Sequence, residues 1–259
     1  MDLNVAQTLA GFEKISLEGL NSKAAMLERL DNKYILPAAT FKPALEKFSE
    51  RFDVLEIDGK RAFTYATRYY DDAELRGYYD HHQGRRKRCK VRVREYVDAG
   101  FSYLEVKLKD KRKITVKKRL KVNDQTNPLN DRAVAFIEAN YRDIYAEGFG
   151  KTLHPVIAMK YLRITLVAKQ GGERMTIDTR LQFEANGVAR AVEPDMFIIE
   201  TKSARGNGHA DKILRGLHLH PTKHCSKYCI GLASTGAVAR QNNFLPALKK
   251  LRLADACSI

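Results

Sequence analysis

An α+β fold is expected, an antiparallel β-barrel of about eight strands decorated with helices, on three observations. Charge alternates in period two along several segments: Arg86, Arg88, Lys90, Arg92 and Arg94, then Glu105, Lys107 and Lys109 against Leu104, Val106 and Leu108. The turns between such segments are short, Asp98-Ala99-Gly100 and Asp110-Lys111 among them, which makes the neighbours antiparallel. Helical periodicity is confined to stretches inserted between groups of strands. No repeat, low-complexity tract or linker divides the chain, so residues 1–259 read as one domain with residues 1–25 as an N-terminal helical extension.

Taken in order, Asp2 to Leu20 spaces Leu3, Leu9, Phe12, Ile15 and Leu20 as an amphipathic helix. Arg29 to Leu36 reads as a strand ended by Pro37, and Phe41, Leu45, Phe48 and Phe52 as a helix capped by Thr40. Strands follow at Val54 to Ile57 and Phe63 to Tyr70 around the Asp58-Gly59 turn, then a short helix from Asp72 to His82. Three strands come next, about Arg88 to Tyr96, Ser102 to Lys109 and Ile114 to Lys121, and a helix over about Asn130 to Ala146. Strands resume at Val156 to Ala168, Glu173 to Asp178, Leu181 to Glu184 and Met196 to Lys202. Helices are expected at Ala210 to Leu217 and after Ser226.

With 44% hydrophobic and 30% charged residues, 259 residues can bury a substantial core. The 46 Lys and Arg exceed 31 Asp and Glu by a formal +15, which points to phosphates, nucleic acid or an anionic membrane surface as partner. Four cysteines, Cys89, Cys225, Cys229 and Cys257, are too few for a disulfide framework and suggest a reducing cytoplasm. Asp2, Glu13 and Glu18 argue against a signal peptide, and no run reaches the length of a membrane span, which leaves peripheral membrane contact open.

Like charges two apart on a strand lie about 6.6 Å from one another, and at an effective dielectric near 20 each pair costs about 2.5 kcal/mol before water screens it. An ordinary solvated sheet face mixes signs. Here Arg and Lys dominate the alternating positions, with Asp31, Glu105, Asp178 and Glu200 interspersed. Turned inward in a barrel, such faces would be self-repulsive when empty and stabilised by phosphate with a divalent cation.

Eight short motifs, in order, carry a resemblance. Arg29-Leu30-Asp31-Asn32-Lys33-Tyr34, Arg92-Val93-Arg94, Leu104-Glu105-Val106-Lys107, Val116-Lys117-Lys118-Arg119, Tyr161-Leu162-Arg163, Ile177-Asp178-Thr179-Arg180-Leu181, Glu200-Thr201-Lys202 and Ser226-Lys227-Tyr228 resemble those of the VTC domain. That family is the polyphosphate polymerase domain of the vacuolar transporter chaperone complex, within the triphosphate tunnel metalloenzyme (CYTH-like) superfamily. The likeness runs from about Leu27 to Gly231.

The resemblance implies that the barrel is a triphosphate tunnel in which the γ-phosphate of ATP passes to a growing polyphosphate chain, with Mn²⁺ or Mg²⁺ required. By position, Lys33, Arg92, Arg94, Lys107, Lys117, Arg163, Arg174 and Lys227 correspond to the catalytic, phosphate-holding cations, and Lys202 joins them in binding the nucleotide. Glu200 corresponds to the metal ligand, and Tyr161 lies where the family has a tyrosine near the transferred phosphate. Arg29 and Asp31 stand where the superfamily's hydrolases favour alternating glutamates, which favours the polymerase branch. Two alternatives stay open: a metal-dependent triphosphate hydrolase of the same fold, and a non-catalytic polyanion or nucleic-acid binding module.

Other signals are weaker. His218, His220, His224, Cys225 and Cys229 match no structural zinc spacing, and Gly206-Asn207-Gly208 lacks the lysine of a P-loop. The pairs Tyr69-Tyr70 and Tyr78-Tyr79 read as core packing, with one aromatic at the tunnel mouth left available to adenine.

Overall fold

A computed structural model describes residues 8–23, 30–109 and 115–257. Its strands are β1 (Lys14–Ile15), β2 (Leu30–Pro37), β3 (Phe52–Leu55), β4 (Ala62–Asp71), β5 (Arg88–Tyr96), β6 (Phe101–Lys109), β7 (Thr115–Val122), β8 (His154–Ala168), β9 (Arg174–Ala185), β10 (Val188–Val192), β11 (Met196–Ser203) and β12 (Leu253–Asp255). The helices are α1 (Leu17–Lys23), α2 (Ala38–Arg51), α3 (Arg76–His82), α4 (Asp131–Tyr145), α5 (His209–Gly216), α6 (Lys227–Ser234) and α7 (Leu245–Leu251).

All twelve strands described belong to one sheet. Its main path runs β2-β11-β9-β8-β4-β5-β6-β7, antiparallel at every step. β2 and β7 end that path, and the described residues form no ladder between them. The fold is therefore the α+β class expected, with the barrel open along one seam.

Helices cover the convex face. α2 and α5 bury Phe41, Leu45, Phe48 and Leu214 against Tyr34, Leu36, Ile164, Leu166, Met175, Ile177 and Ile199, which occupy alternate positions of β2, β8, β9 and β11. α4 presents Ala133, Ile137 and Tyr141, four residues apart, to Val91, Leu104, Val106 and Leu108 of β5 and β6. The Asn130 side chain accepts a hydrogen bond from the Ala133 amide at 3.1 Å and so starts α4 where the sequence expects it.

The concave face is divided in two. One half is apolar: Ile35, Tyr69, Ile157, Met159, Leu181, Phe183 and Ile198 pack under Tyr228, Cys229 and Leu232 of α6 and Phe244 and Leu251 further on. The other half carries the charges. A β-bulge makes the division on β9, where Arg163 pairs with Asp178 but Met159 pairs with Phe183, so five residues of β9 run beside four of β8. Strict alternation from Asp178 would point Arg180 and Gln182 inward; the extra residue, Arg180 at φ +53° and exposed, turns Leu181 and Phe183 inward instead. For the same reason the two short strands expected at Glu173 to Asp178 and Leu181 to Glu184 are one strand, β9.

Three further expectations are corrected. Thr40 does not cap α2, which begins two residues earlier after extended Pro37. Over residues 9–23 the N-terminal segment is not continuous helix: Leu9 and Phe12 are buried, β1 pairs with β3, and helix resumes at Leu17–Lys23, while residues 2–7 of the expected helix lie outside the described residues. The hairpin Val188–Val192 and the closing strand Leu253–Asp255 were not expected at all. Arg29 and the Asp110-Lys111 turn lie outside the described residues.

α6 sits so close to the sheet that a Cβ on Gly231 would collide with Ile157 Cδ1 and the Phe183 ring. Gly231→Ala is expected to destabilise the protein by about 1–3 kcal/mol, the usual cost of overpacking. Urea unfolding should show this as a lower midpoint at unchanged slope.

Candidate active site

The register brings the predicted cations onto one surface. Lys33 stands opposite Glu200, Asp31 opposite Lys202, and Lys202 opposite Arg174. Asp178 stands opposite Arg163, Arg92 opposite Glu105, and Lys107 opposite Lys117. Opposed residues share a face, so seven strands contribute to one charged concavity.

Three carboxylates organise it. Glu105, 1% exposed, receives Arg92 Nε at 2.7 Å, Lys117 Nζ at 2.6 Å and Arg94 Nη1 at 3.9 Å. Asp178, fully buried, accepts both Arg163 Nε at 2.6 Å and Nη2 at 2.8 Å, together with Lys227 Nζ at 2.5 Å from the first turn of α6. Glu200 is held by Lys202 at 2.8 Å and Lys33 at 3.9 Å. Burial works against each of these charges, and the surrounding cations overcome it, holding Glu105, Asp178 and Glu200 below the usual carboxylate range.

Tyr161 joins two of the clusters. It is buried, its hydroxyl accepts a hydrogen bond from Arg94 Nη2 at 2.9 Å, and the Arg163 guanidinium lies 5.3 Å from its ring. Burial pushes its phenol up, and Arg163 and Arg94 outweigh that, leaving it more acidic than an ordinary tyrosine. The residues proposed from the sequence therefore converge. Arg174 lies on the same surface at the Lys202 end.

Other residues belong here that sequence reasoning left out. Tyr69 accepts a hydrogen bond from Arg92 Nη1 at 2.8 Å and stacks on Tyr228 at 4.9 Å, so it is a site residue as well as core. Lys90 donates to Ser226 Oγ at 2.8 Å, which ties the start of α6 to β5. Lys90 shares the period-two ladder with Arg92 and Arg94, and Tyr69 follows Tyr65 and Thr67 in the same period, so alternation carried both signals.

The lysines differ in how firmly they hold their protons. Glu200 raises Lys33 against its burial, whereas burial pushes Lys107 and Lys202 down to about 8 despite the same carboxylate. Lys107 reaches into the solvent-accessible interior with protein on most sides, so it keeps water contact but loses much of its hydration. Two opposite pH effects follow. Anion affinity should fall as pH rises from about 7 to about 9, because these lysines lose charge. Stability of the ligand-free protein should rise over that window and above it, because the unfolded chain, with its lysines near 10.4, binds more protons than the folded one. Tripolyphosphate titrations and thermal melts across that range would check both signs.

A concave sheet whose charged half holds arginines and lysines on shared carboxylates, with the other half sealed by helices, defines an open barrel with a basic interior. The family model for the VTC domain matches residues 28–235, and the chain belongs to that family. No curated protein matches the chain. Among solved structures it is similar to a candidate adenylate cyclase from Bacillus halodurans, with 13% identity over 77% of this chain and 95% of that one and a TM-score of 0.49. It is similar also to a candidate adenylyl cyclase from Hippeastrum whose dominant activity is that of a triphosphatase, with 11% identity, 84% and 100% coverage and a TM-score of 0.48. A protein from Pyrococcus horikoshii is similar at 14% identity, 81% and 99% coverage and a TM-score of 0.44.

The resemblance assigns a divalent metal to Glu200, which here is held by Lys202 and Lys33. The described residues hold no group of three or more His, Cys, Asp or Glu side chains placed to bind an ion. A hard cation taking six or more oxygens would draw one or two from Glu200 and the rest from phosphate and water, a donor set that suits Mg²⁺ or Mn²⁺ bound together with a triphosphate. No described helix is long and apolar enough to cross a membrane.

Proposed function

We propose that the protein is an ATP-dependent polyphosphate polymerase, transferring the γ-phosphate of ATP to the end of a polyphosphate chain on this concave face. The observation that carries the reading is the shared-carboxylate arrangement: Glu105, Asp178 and Glu200 each neutralise cations from more than one element, so the donors are aligned before any ligand arrives. Phosphoryl transfer needs alignment and charge stabilisation more than covalent chemistry.

The terminal oxygen of the acceptor chain attacks the γ-phosphorus as the bond to the β,γ-bridging oxygen breaks and ADP leaves. The attacking oxygen is already anionic, so no proton has to be removed. Arg163 and Arg92 offer forked donors to the equatorial and bridging oxygens, and Lys227, Lys33 and Lys107 offer point charges. A divalent metal held by Glu200 would neutralise charge on the phosphates. Arg163 keeps its contact with Asp178 through one edge and presents the other to the ligand, whereas Arg92, bound to Glu105 through Nε and to the Tyr69 hydroxyl through Nη1, offers its remaining N–H groups.

The alternative acceptor is water, which would make the protein a triphosphate hydrolase. Water needs a base; Glu105, Asp178 and Glu200 are held by neighbouring cations in the ionised form with little affinity for a proton, which leaves Lys107 and Lys202, pushed down to about 8, as the groups able to accept one. Transfer to phosphate needs no such base. The basic surface and VTC membership support ATP and polyphosphate as ligands and Mn²⁺ or Mg²⁺ as the ion, and the free thiols of Cys89, Cys225, Cys229 and Cys257 support the cytoplasm as the place of action. Incubation with ATP and Mn²⁺, followed by gel analysis, should show chains that lengthen with time. Phosphate release without polymer would instead make it a hydrolase, and tight binding without turnover a polyanion-binding module.

A further inference from the structure

The charged half of the concave face also carries a row of rings. Phe101, Tyr96, Tyr65 and Tyr161 stand directly opposite one another across β6, β5, β4 and β8. Their centroids are 4.9, 5.0 and 5.6 Å apart in that order, and Tyr65 and Tyr161 are nearly parallel at 7°. Tyr103, at the next inward position of β6, meets Tyr96 and Phe101 edge-on, and the Arg119 guanidinium lies 4.9 Å from its ring.

The two ends of the row differ. Tyr161 is buried among Arg94, Arg163 and Lys227, whereas Tyr96, Phe101 and Tyr103 are only half-buried at the hairpin that joins β5 to β6. The apolar faces of these strands already pack on α4, so the rings are not needed there. A polyphosphate chain makes no use of an aromatic wall; a nucleoside does, since each base has a face that stacks on a ring. The opposite half of the concavity is filled by α6, which leaves the hairpin end for the nucleoside. Three strand spacings, about 14 Å, separate Phe101 from Tyr161, enough to place ribose and phosphates between them.

The geometry points to Tyr96, Phe101 and Tyr103 as a stacking platform for the base of a nucleoside triphosphate whose phosphates lie on Arg94, Arg163 and Lys227. This rests on the reading of the face as a triphosphate site. The platform separates nucleoside triphosphates from inorganic polyphosphate: the first uses rings and cations, the second cations alone.

Calorimetric titration of the full chain with ATP, and separately with inorganic tripolyphosphate, both with Mg²⁺, tests it. Phe101→Ala should weaken ATP about tenfold and change tripolyphosphate by no more than about twofold, as expected for loss of one stacking partner. Phe101→Trp should keep ATP affinity. If Phe101→Ala does not fold, Phe101→Leu, which keeps apolar packing without a π-face, should show the same selective loss. Equal weakening of both ligands, or of neither, would overturn the platform. Binding of tripolyphosphate but not ATP by the unaltered protein would overturn it while leaving the polyanion site; binding of neither would overturn both.

Discussion

Asp178→Ala should lower the stability of the ligand-free protein more than any other single change in the charged face. It leaves Arg163 and Lys227, 13% and 11% exposed, facing each other without the carboxylate that accepts three of their N–H groups. Breaking a buried ion pair from one side costs about 3–5 kcal/mol because the remaining charge stays desolvated. Lys227 already lies over the Tyr161 ring, 5.3 Å from its centroid, and keeps that contact in the variant, so the lower end of the range, about 3 kcal/mol, is expected. For a chain of this size that is a fall in melting temperature of about 6–12 °C. Tripolyphosphate should restore a larger share of stability in the variant than in the parent, since it supplies the missing negative charge. A variant that melts as the parent does would show that the cluster is far more hydrated than its burial implies.

Glu200→Gln should show the largest effect on chemistry, and its two readouts should move in opposite directions. Removing one negative charge from among Lys33, Lys107 and Lys202 favours a bare anion, so tripolyphosphate affinity without metal should be unchanged or higher. The same change removes the carboxylate from which the divalent ion would be held, and turnover with ATP and Mn²⁺ should fall by at least about a hundredfold, the scale of losing one strong electrostatic stabiliser. If Glu200 served only to neutralise lysines, affinity would rise and turnover would survive.

Much of this face was legible because period-two alternation is a direct consequence of strand geometry. It placed Lys33, Arg92, Lys107, Lys117, Arg163 and Glu200 each on the charged face of its own strand before any register was known, and the resemblance to the VTC domain gathered them into one site. Alternation could not reveal which carboxylate serves which cation, because Glu105 and Asp178 gather partners from strands and a helix far apart in sequence. Nor could it foresee the bulge at Arg180, where a single inserted residue turns Leu181 and Phe183 inward and ends the charged half. Asn186-Gly187, at φ +51° and +73°, is a strong sequence signal for a two-residue hairpin and locates β10. Thr40 misled because a hydroxyl before a periodic run resembles a cap, while extended Pro37 sets the actual start of α2.

The central claim is that the charged half of the concave face holds the triphosphate. A crystal structure of the protein with tripolyphosphate and Mn²⁺ tests it most directly. The account predicts phosphate oxygens within hydrogen-bond distance of Arg92, Arg163 and Lys227, and the ion against Glu200. Phosphates bound on the convex side, or outside the sheet with Arg163 still turned wholly to Asp178, would contradict it.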